Sequence, residues 1–283
     1  MNRKGITLIE LLVALCITAI LLAGVYKTFI SQQHTFTVQD QVADLQQSVR
    51  LAINRMTREL RMAGFGRIGA SDSNFFAPGP INGFNQVLNP GGDATSLTVV
   101  EAYGQAVTTL MPNAGGNPPA LGQGYILVND ASGFNTGSKK YICINGTDSV
   151  QIKSINGNQI NLDNKTPLST TTRHQPGESI YLIEAITYSH GIPADPFRAV
   201  PGDSLLRNDN LGAGPQPVAD NVYSIQFKNP DGTIPLNPNS ASVQVAITVR
   251  TNMTDPDYKV DGGYRKRTLT SNIQLRNLLP DAL

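Results

Sequence analysis

The stretch that decides the fold is residues 2–12, Asn-Arg-Lys-Gly-Ile-Thr-Leu-Ile-Glu-Leu-Leu. A short basic leader ends at Gly5, and an apolar run follows at once from Ile6 to about Tyr26, with Glu10 as its only charged residue. An ordinary secretory signal is cut after its apolar run, at small residues. Here the junction at Gly5 comes before the run, which predicts that the apolar segment stays on the mature protein.

The apolar run has about 20 residues, the length that spans a bilayer as a helix. It contains no proline that would break the helix, and Gly24 is its one weak helix former. A carboxylate inside such a segment costs a few kcal/mol even on lenient insertion scales. Glu10 is therefore a candidate functional residue.

Two other signals share some of these features. An ordinary signal anchor would explain the apolar run and its basic flank, but neither Glu10 nor the Gly5 junction. A lipoprotein signal would require a small residue before its cysteine, whereas Leu15 precedes Cys16 and the apolar run continues beyond it. We therefore favour a retained N-terminal helix over both.

A helical pattern continues past the apolar run. Apolar residues recur at steps of three and four and predict one stripe on an amphipathic helix: Val38, Val42, Leu45, Val49, Ala52, Met56, Leu60 and Ala63. Gly64 is suited to the position just after the last turn. The pattern predicts one helix from about Ile6 to Ala63, roughly 85–90 Å long, with its second half packed on a soluble domain.

The rest of the chain has the signals of strands and turns. The predicted strands are Ser96–Ala102, Gly124–Asn129, Lys140–Asn145, Ser149–Asn156, Gln159–Leu162, Ser179–Ser189, Asn221–Lys228, Ser242–Thr251 and Tyr264–Asn277. Asn156-Gly157 predicts a two-residue hairpin, and Asn229-Pro230-Asp231-Gly232 predicts a turn. The segment from Ser71 to Pro119 is loop-rich. The interpretation is a β-rich insertion from about 95 to 178, followed by a sheet that packs on the helix.

Composition limits the class of function. The 283 residues suffice for a sizeable core. The net charge is +1, and loss of Arg3 and Lys4 with the leader leaves 20 basic against 21 acidic groups, so no polyanionic partner is implied. Charged residues make up only 15%, with 26 glycines and 18 prolines, which is typical of an exported all-β domain with long loops.

The two cysteines are not expected to pair. Cys16 lies in the membrane segment and Cys143 in the soluble part, so they cannot meet in one folded chain. Because Ile142 and Ile144 flank Cys143, a small buried apolar residue is favoured there over a reactive thiol.

The N-terminal residues carry a resemblance to a known family. Lys4-Gly5-Ile6-Thr7-Leu8-Ile9-Glu10-Leu11-Leu12 resembles the class III signal of type IV prepilins and type II secretion pseudopilins, with Ile6 where the family usually has Phe. The resemblance implies that a prepilin peptidase cuts between Gly5 and Ile6 and methylates the new amine of Ile6. It also implies that Glu10 docks on the N-terminal amine of a neighbouring subunit.

Further segments are similar to PilW-type minor pilins and the related GspJ-type pseudopilins: 51–65, 185–188, 204–207, 222–227, 243–250 and 265–277. The resemblance is thin from about 70 to 178. It implies the α+β type IV pilin fold, a long N-terminal helix packed on an antiparallel sheet, with a β-rich insertion. The expected organisation is a leader (1–5), a transmembrane half-helix (6–26), an amphipathic half-helix (27–64), a loop-rich region with the insertion (65–178) and the sheet (179–283). Many pilins close a C-terminal loop with a disulfide, a pattern from which this chain departs.

The resemblance further implies a function without catalysis. The expected protein is a minor pilin in type IV pilus assembly at the filament tip, and the alternatives are a GspJ-like secretion pseudopilin and a tip adhesin. The expected partners are prepilin peptidase, other minor pilins, the major pilin and the inner membrane. The soluble part is expected first in the periplasm and then in the extracellular filament.

The residues predict no cofactor, metal or enzyme. His34, His174 and His190 lie far apart and are interpreted as satisfied surface residues. Asp255, Asp257 and Asp261 supply oxygen ligands of the kind Ca²⁺ prefers, but a plain turn is favoured. A solvated helix face is favoured over a nucleic-acid site for Arg50, Arg55, Arg58 and Arg61, because no aromatic residues accompany them.

Overall fold

The computed structural model describes residues 8–65, 76, 79–102, 105–164, 167–170, 173–192, 203–255 and 258–278. The described chain begins with one long helix, α1 (Leu8–Met62). Fourteen strands follow within the described residues: β1 (Leu88–Pro90), β2 (Ser96–Glu101), β3 (Thr108–Met111), β4 (Tyr125–Val128), β5 (Tyr141–Ile144), β6 (Asp148–Asn156), β7 (Gln159–Leu162), β8 (Ser179–Leu182), β9 (Glu184–Gly191), β10 (Ser204–Asn208), β11 (Gln216–Asp220), β12 (Val222–Lys228), β13 (Ser242–Arg250) and β14 (Lys266–Gln274).

The strands form two open sheets and one barrel. The orders are β1-β2-β9-β10-β11, β12-β13-β14 and, for the closed barrel, β3-β4-β7-β6-β5-β8. Every strand pair is antiparallel. The predicted α+β class is therefore confirmed: a long N-terminal helix is followed by antiparallel sheets, an architecture consistent with the pilin fold.

By their internal contacts the residues group into two compact units. The first comprises the described parts of Met1–Gln47 and Thr251–Arg265. Its loop is closed by a hydrogen bond of 3.0 Å from the Thr251 N–H to the Arg265 carbonyl. The guanidinium of Arg265 binds the Asp255 carboxylate across the same loop, at 2.7 Å from Nε and 2.6 Å from Nη2.

The second unit comprises the described parts of Ser48–Arg250 and Lys266–Leu283. It contains the last turns of α1, where Val49, Ala52, Met56, Leu60 and Ala63 are buried. The helix ends as predicted, because Gly64 adopts a φ of +74° and its N–H bonds the Val100 carbonyl of β2 at 2.9 Å. The Asn277 amide also donates to the carbonyls of Met62 and Ala63, so the helix end is satisfied by side chain as well as backbone.

The barrel has a filled interior. Its apolar core includes the fully buried Ile126, Ile142, Ile144, Ile160 and Ile180. These come from four different strands, β4, β5, β7 and β8, and fill the centre, so the barrel is a packed core rather than a ligand cavity.

The structure corrects two expectations about strands. The single strand predicted over Ser179–Ser189 is two strands, because the chain leaves the barrel at Leu182 and enters the five-stranded sheet at Glu184. The predicted hairpin is present, but its two-residue loop is Gly157-Asn158, since Asn156 pairs with Gln159 and Gly157 takes the positive φ of +58°. Strands on both sides of residue 178 join these sheets, and the predicted domain boundary there stays a prediction.

Candidate functional sites: the N-terminal segment and a buried acidic cluster

The predicted processing site, Gly5 and Ile6, lies outside the described residues. The described helix begins two residues later at Leu8, and Glu10 lies in its first turn. A negative side chain there is favourable because the helix dipole places partial positive charge at the N-terminus. Glu10 is exposed in the single chain.

The first turns of α1 present an apolar surface. Among the described residues, α1 is the one helix long and apolar enough to cross a membrane. Its exposed large apolar side chains include Leu8, Ile9, Leu11, Leu12, Val13, Leu15, Ile17, Ile20, Leu21, Leu22, Val25, Tyr26, Phe29 and Ile30. An exposed apolar patch of this size is typical of a surface that lipid or other helices cover.

A second site lies where the end of α1 meets the five-stranded sheet. We call it the acidic cluster; it consists of Glu59 on α1, Glu101 on β2, Glu184 and Tyr188 on β9, and Arg207 on β10. Glu59 is only 2% exposed. Its carboxylate accepts hydrogen bonds from the Tyr188 hydroxyl at 2.5 Å and from Arg207 Nε at 3.1 Å to each oxygen.

Sheet register explains how these groups meet. Arg207 and Tyr188 are directly opposite each other on β10 and β9, so both reach the same helical carboxylate. Arg55 adds a second cation from one turn earlier on the helix, 3.5 Å from Glu59. Removing Arg207 or Tyr188 would leave the buried Glu59 carboxylate without a partner, which is strongly destabilising. These bonds therefore hold the helix against the sheet.

Glu101 is the unusual member of the acidic cluster. It is directly opposite Glu184 on β9 and is fully buried. Neither of its carboxylate oxygens has a hydrogen-bond partner among the described residues. Burial, followed by the negative charges of Glu59 and Glu184, raises the pKa of Glu101 to about 9. Glu101 is therefore a neutral carboxylic acid at neutral pH.

One sign of this cluster is visible in the amino-acid sequence. Glu59 lies next to Leu60 and three residues after Met56, so it falls on the apolar side of the helix, where a charge needs a partner. Its partners lie 129 and 148 residues away in the chain and carry no local signature. The acidic cluster holds the end of the helix to the sheet.

The expectation of a surface role for His174 is wrong. Its side chain is buried, with Nδ1 at 2.6 Å from Glu178 and Nε2 at 2.9 Å from Asp148. Asp148 also accepts the Ser169 N–H at 2.7 Å, so the imidazole joins β6 to the segment before β8. Burial alone would lower the pKa of His174, but the hydrogen bonds and charges of Asp148 and Glu178 outweigh it and raise that pKa.

The other two histidines and Cys143 lie outside the acidic cluster. His190 is half-buried, with Nε2 at 2.9 Å from the Val222 carbonyl, and His34 is half-buried on α1. Cys143 is fully buried, as predicted, and burial raises the pKa of its thiol to about 12. Cys16 and Cys143 are both free thiols.

The helix arginines and the acidic loop are the two other places that the sequence offered as ligand sites. Arg50, Arg55, Arg58 and Arg61 are all exposed. In the loop, Asp255 is bound to Arg265, Asp261 is exposed, and Asp257 lies outside the described residues. No group of three His, Cys, Asp or Glu side chains suited to a metal occurs in the part of the chain that the structure describes.

The N-terminal segment defines the class of protein. A basic leader, a glycine junction and an apolar helix with an acidic residue in its first turn are the parts of a prepilin-type signal. The family described as "Prokaryotic N-terminal methylation motif" matches residues 1–26. This match supports a type IV pilin-like protein or pseudopilin that prepilin peptidase processes. Comparisons with curated proteins and with solved structures found no significant match.

Proposed function

We propose that this chain is a minor pilin of the PilW type that takes part in type IV pilus assembly. Prepilin peptidase cuts it between Gly5 and Ile6 and methylates Ile6. One observation carries the proposal: the prepilin-type motif over residues 1–26 opens a 55-residue helix that is followed by antiparallel sheets. The apolar start of α1 anchors the protein in the inner membrane and later packs against other pilin helices.

Glu10 is the proposed docking residue. Its carboxylate lies in the first turn of an exposed apolar helix, and a negative charge there is costly once lipid or other helices surround it, which favours a cationic partner. The methylated amine of Ile6 on a neighbouring subunit would neutralise it. This pairing sets the axial register between this subunit and another minor pilin or the major pilin.

The size of the soluble part favours the filament tip. The described residues after α1 include two sheets and a six-stranded barrel, a larger head than a typical major pilin carries. A bulky head is tolerated at a tip more readily than in thousands of stacked copies. We further propose the organisation 1–5, 6–26, 27–64, 65–178 and 179–283 as leader, membrane half-helix, amphipathic half-helix, insertion-bearing region and sheet.

A clean deletion tests the proposal, scored in one culture for surface filaments by electron microscopy and for secreted proteins. Lost filaments with normal secretion are expected. Normal filaments with exoproteins trapped in the periplasm would instead assign the chain to a type II secretion pseudopilus. Normal filaments and secretion with lost surface attachment would assign it to adhesion.

Glu10 has a matched control on the same helix. Glu10→Gln removes the docking charge and is expected to abolish co-purification with partner pilins. Asp40→Asn removes an exposed carboxylate further along α1 and is expected to leave co-purification intact. Equal recovery of partners with both variants would contradict the docking role.

A further inference from the structure

The barrel is joined to the five-stranded sheet by two short stretches of backbone. The chain leaves β2 of the sheet at Glu101 and, after the six barrel strands, enters β9 at Glu184. Glu101 and Glu184 are the last pair of the β2–β9 ladder. The residues that continue from this pair toward the barrel, Ala102 and Ile183, are both buried. We call these four residues the neck.

The backbone groups of the closing pair face each other. The Val100 N–H donates to the Val87 carbonyl at 2.9 Å, on the side of β2 that faces β1. Successive residues of an antiparallel strand bond to opposite sides. The Glu101 N–H and C=O therefore point to Glu184 on β9, and the amide hydrogens of both residues are protected while the neck is closed.

Two further backbone bonds hold the neck to its surroundings. The Ala102 N–H donates to the carbonyl of Phe65, just after α1, at 3.1 Å. The Ile183 N–H donates to the carbonyl of Tyr141 on the barrel strand β5 at 2.8 Å. Opening of the neck would therefore loosen the barrel from the sheet and from the end of the helix.

The side chains of the closing pair are two carboxylic acids. Glu101 is fully buried and Glu184 is half-buried. Directly opposite residues have Cβ atoms about 4.5–5.5 Å apart, and like charges at such positions destabilise the strand pair. Neither oxygen of Glu101 has a hydrogen-bond partner in the described part of the chain. The neck thus contains a repulsion that one proton removes.

The surrounding charges do not offset this repulsion. The charged and titratable groups near the pair come from every element around it: Glu59 and Arg55 on α1, Tyr188 on β9, Arg207 on β10, Asp209 after β10 and Lys139 before β5. Arg207 binds both oxygens of Glu59 through Nε at 3.1 Å. Burial, then Glu59 and Glu184, raise the pKa of Glu101 to about 9, and burial also raises the pKa of Glu184.

We propose that the neck is a proton-controlled hinge, which is closed while Glu101 carries its proton and which releases that proton when the Glu101–Glu184 pair opens. In the open neck Glu101 is exposed to water, where its pKa returns to the ordinary 4.5. The closed state thus binds one more proton than the open state between about pH 5 and pH 9, and the fraction of open molecules rises about tenfold per pH unit over that range. The barrel moves more freely relative to the sheet in alkaline than in acidic surroundings.

Amide hydrogen exchange tests the hinge, on the full chain in detergent and read residue by residue by NMR. Protection is expressed relative to the intrinsic exchange rate at each pH, because exchange itself is base-catalysed. The protection of the Glu101 and Glu184 amides is expected to fall about tenfold per pH unit from about pH 5.5 to pH 8.5. Val245 in the central strand β13 reports global unfolding, and its amide is expected to be at least about tenfold more protected at every pH.

Three variants separate the proton from the packing. Glu101→Gln fills the same space without a proton to lose, so the protection of the neck amides is expected to become independent of pH. Glu184→Gln removes the opposing charge, so the fall in protection is expected to stop at a lower pH. Asp130→Asn, the matched control, removes an exposed carboxylate outside the neck and is expected to behave as wild type.

Three outcomes would overturn the proposal. The neck amides of wild type keep the same protection at every pH, or their protection equals that of Val245, which would mean that the neck opens only in global unfolding. An unchanged pH-dependent fall in Glu101→Gln would assign the proton to another group. The first two outcomes need only the wild-type chain, so the test stands even if Glu101→Gln folds poorly.

Discussion

Replacing Glu101 with glutamine should change how stability depends on pH. In wild type, the folded chain keeps the Glu101 proton up to about pH 9, whereas the unfolded chain releases it near the ordinary value of 4.5. Between these values the folded state binds the extra proton, so the free energy of unfolding falls as pH rises. The slope from this group is about 1.4 kcal/mol per pH unit. Glutamine fills the same space and has no proton to lose.

The difference between variant and wild type is therefore the quantity to measure. From about pH 5 to pH 8, Glu101→Gln should gain about 4 kcal/mol relative to wild type. An unsatisfied buried amide costs about 1–3 kcal/mol at every pH, so the two curves should cross between about pH 5 and pH 6.5. At about pH 4.5 and below, the difference reports packing alone and serves as the internal control.

Urea unfolding of the full chain in detergent, followed by far-UV circular dichroism, supplies the free energies by linear extrapolation. Intrinsic fluorescence must come from the nine tyrosines, because the chain has no tryptophan. If the free energies of unfolding of the two proteins changed in parallel across this pH range, the reasoning would be refuted. Parallel curves would mean that the pKa of Glu101 is not raised in the folded state.

Three further predictions concern other residues. Gly5→Leu should block processing, so that mass spectrometry finds a precursor heavier by the mass of the leader. Gly24→Ala adds a methyl group into open space and should be processed normally. Equal processing of the two variants would contradict the assigned junction. His174→Gln should destabilise the chain by about 3 kcal/mol at low pH, because it leaves Asp148 and Glu178 without their buried cation. Since the folded pKa of His174 is raised, that loss should be complete below about pH 6.5 and shrink as pH rises through the folded pKa, and a difference constant with pH in urea unfolding would contradict it. Cys143 should resist alkylation at neutral pH in the native state and react after unfolding, because burial disfavours its thiolate; rapid native labelling, read by mass spectrometry, would contradict its burial.

Local patterns predicted the local elements well. The three- and four-residue spacing placed α1 within two residues at its described ends, and Gly64 ended it because a glycine takes the left-handed conformation freely. The alternation of β13 predicted a half-buried strand, and every second residue from Val243 to Val249 is buried. These features depend on residues that are close together in the chain, so one sequence is enough to predict them.

Features that depend on distant residues were not predictable. The chain changes sheets at Ile183, between β8 and β9. Nothing in the run Ile180–Ile186 marks this point, because a single continuous strand would bury the same apolar residues. β1, β3 and β11 are short, and prolines in β1 and β11 read as loop signals. The burial of His174 depends on Asp148, 26 residues earlier, and no spacing rule joins them.

The position of the barrel within the second unit has a mechanical consequence. The chain leaves the five-stranded sheet at Glu101 and returns to it at Glu184, and these two residues are directly opposite each other on neighbouring strands. Tension carried through that sheet can pass from β2 to β9 across their hydrogen bonds without entering the barrel. The barrel is thus a side branch of any such load path, and a change in the length or sequence of its surface loops leaves the pairing of β2 with β9 uninterrupted.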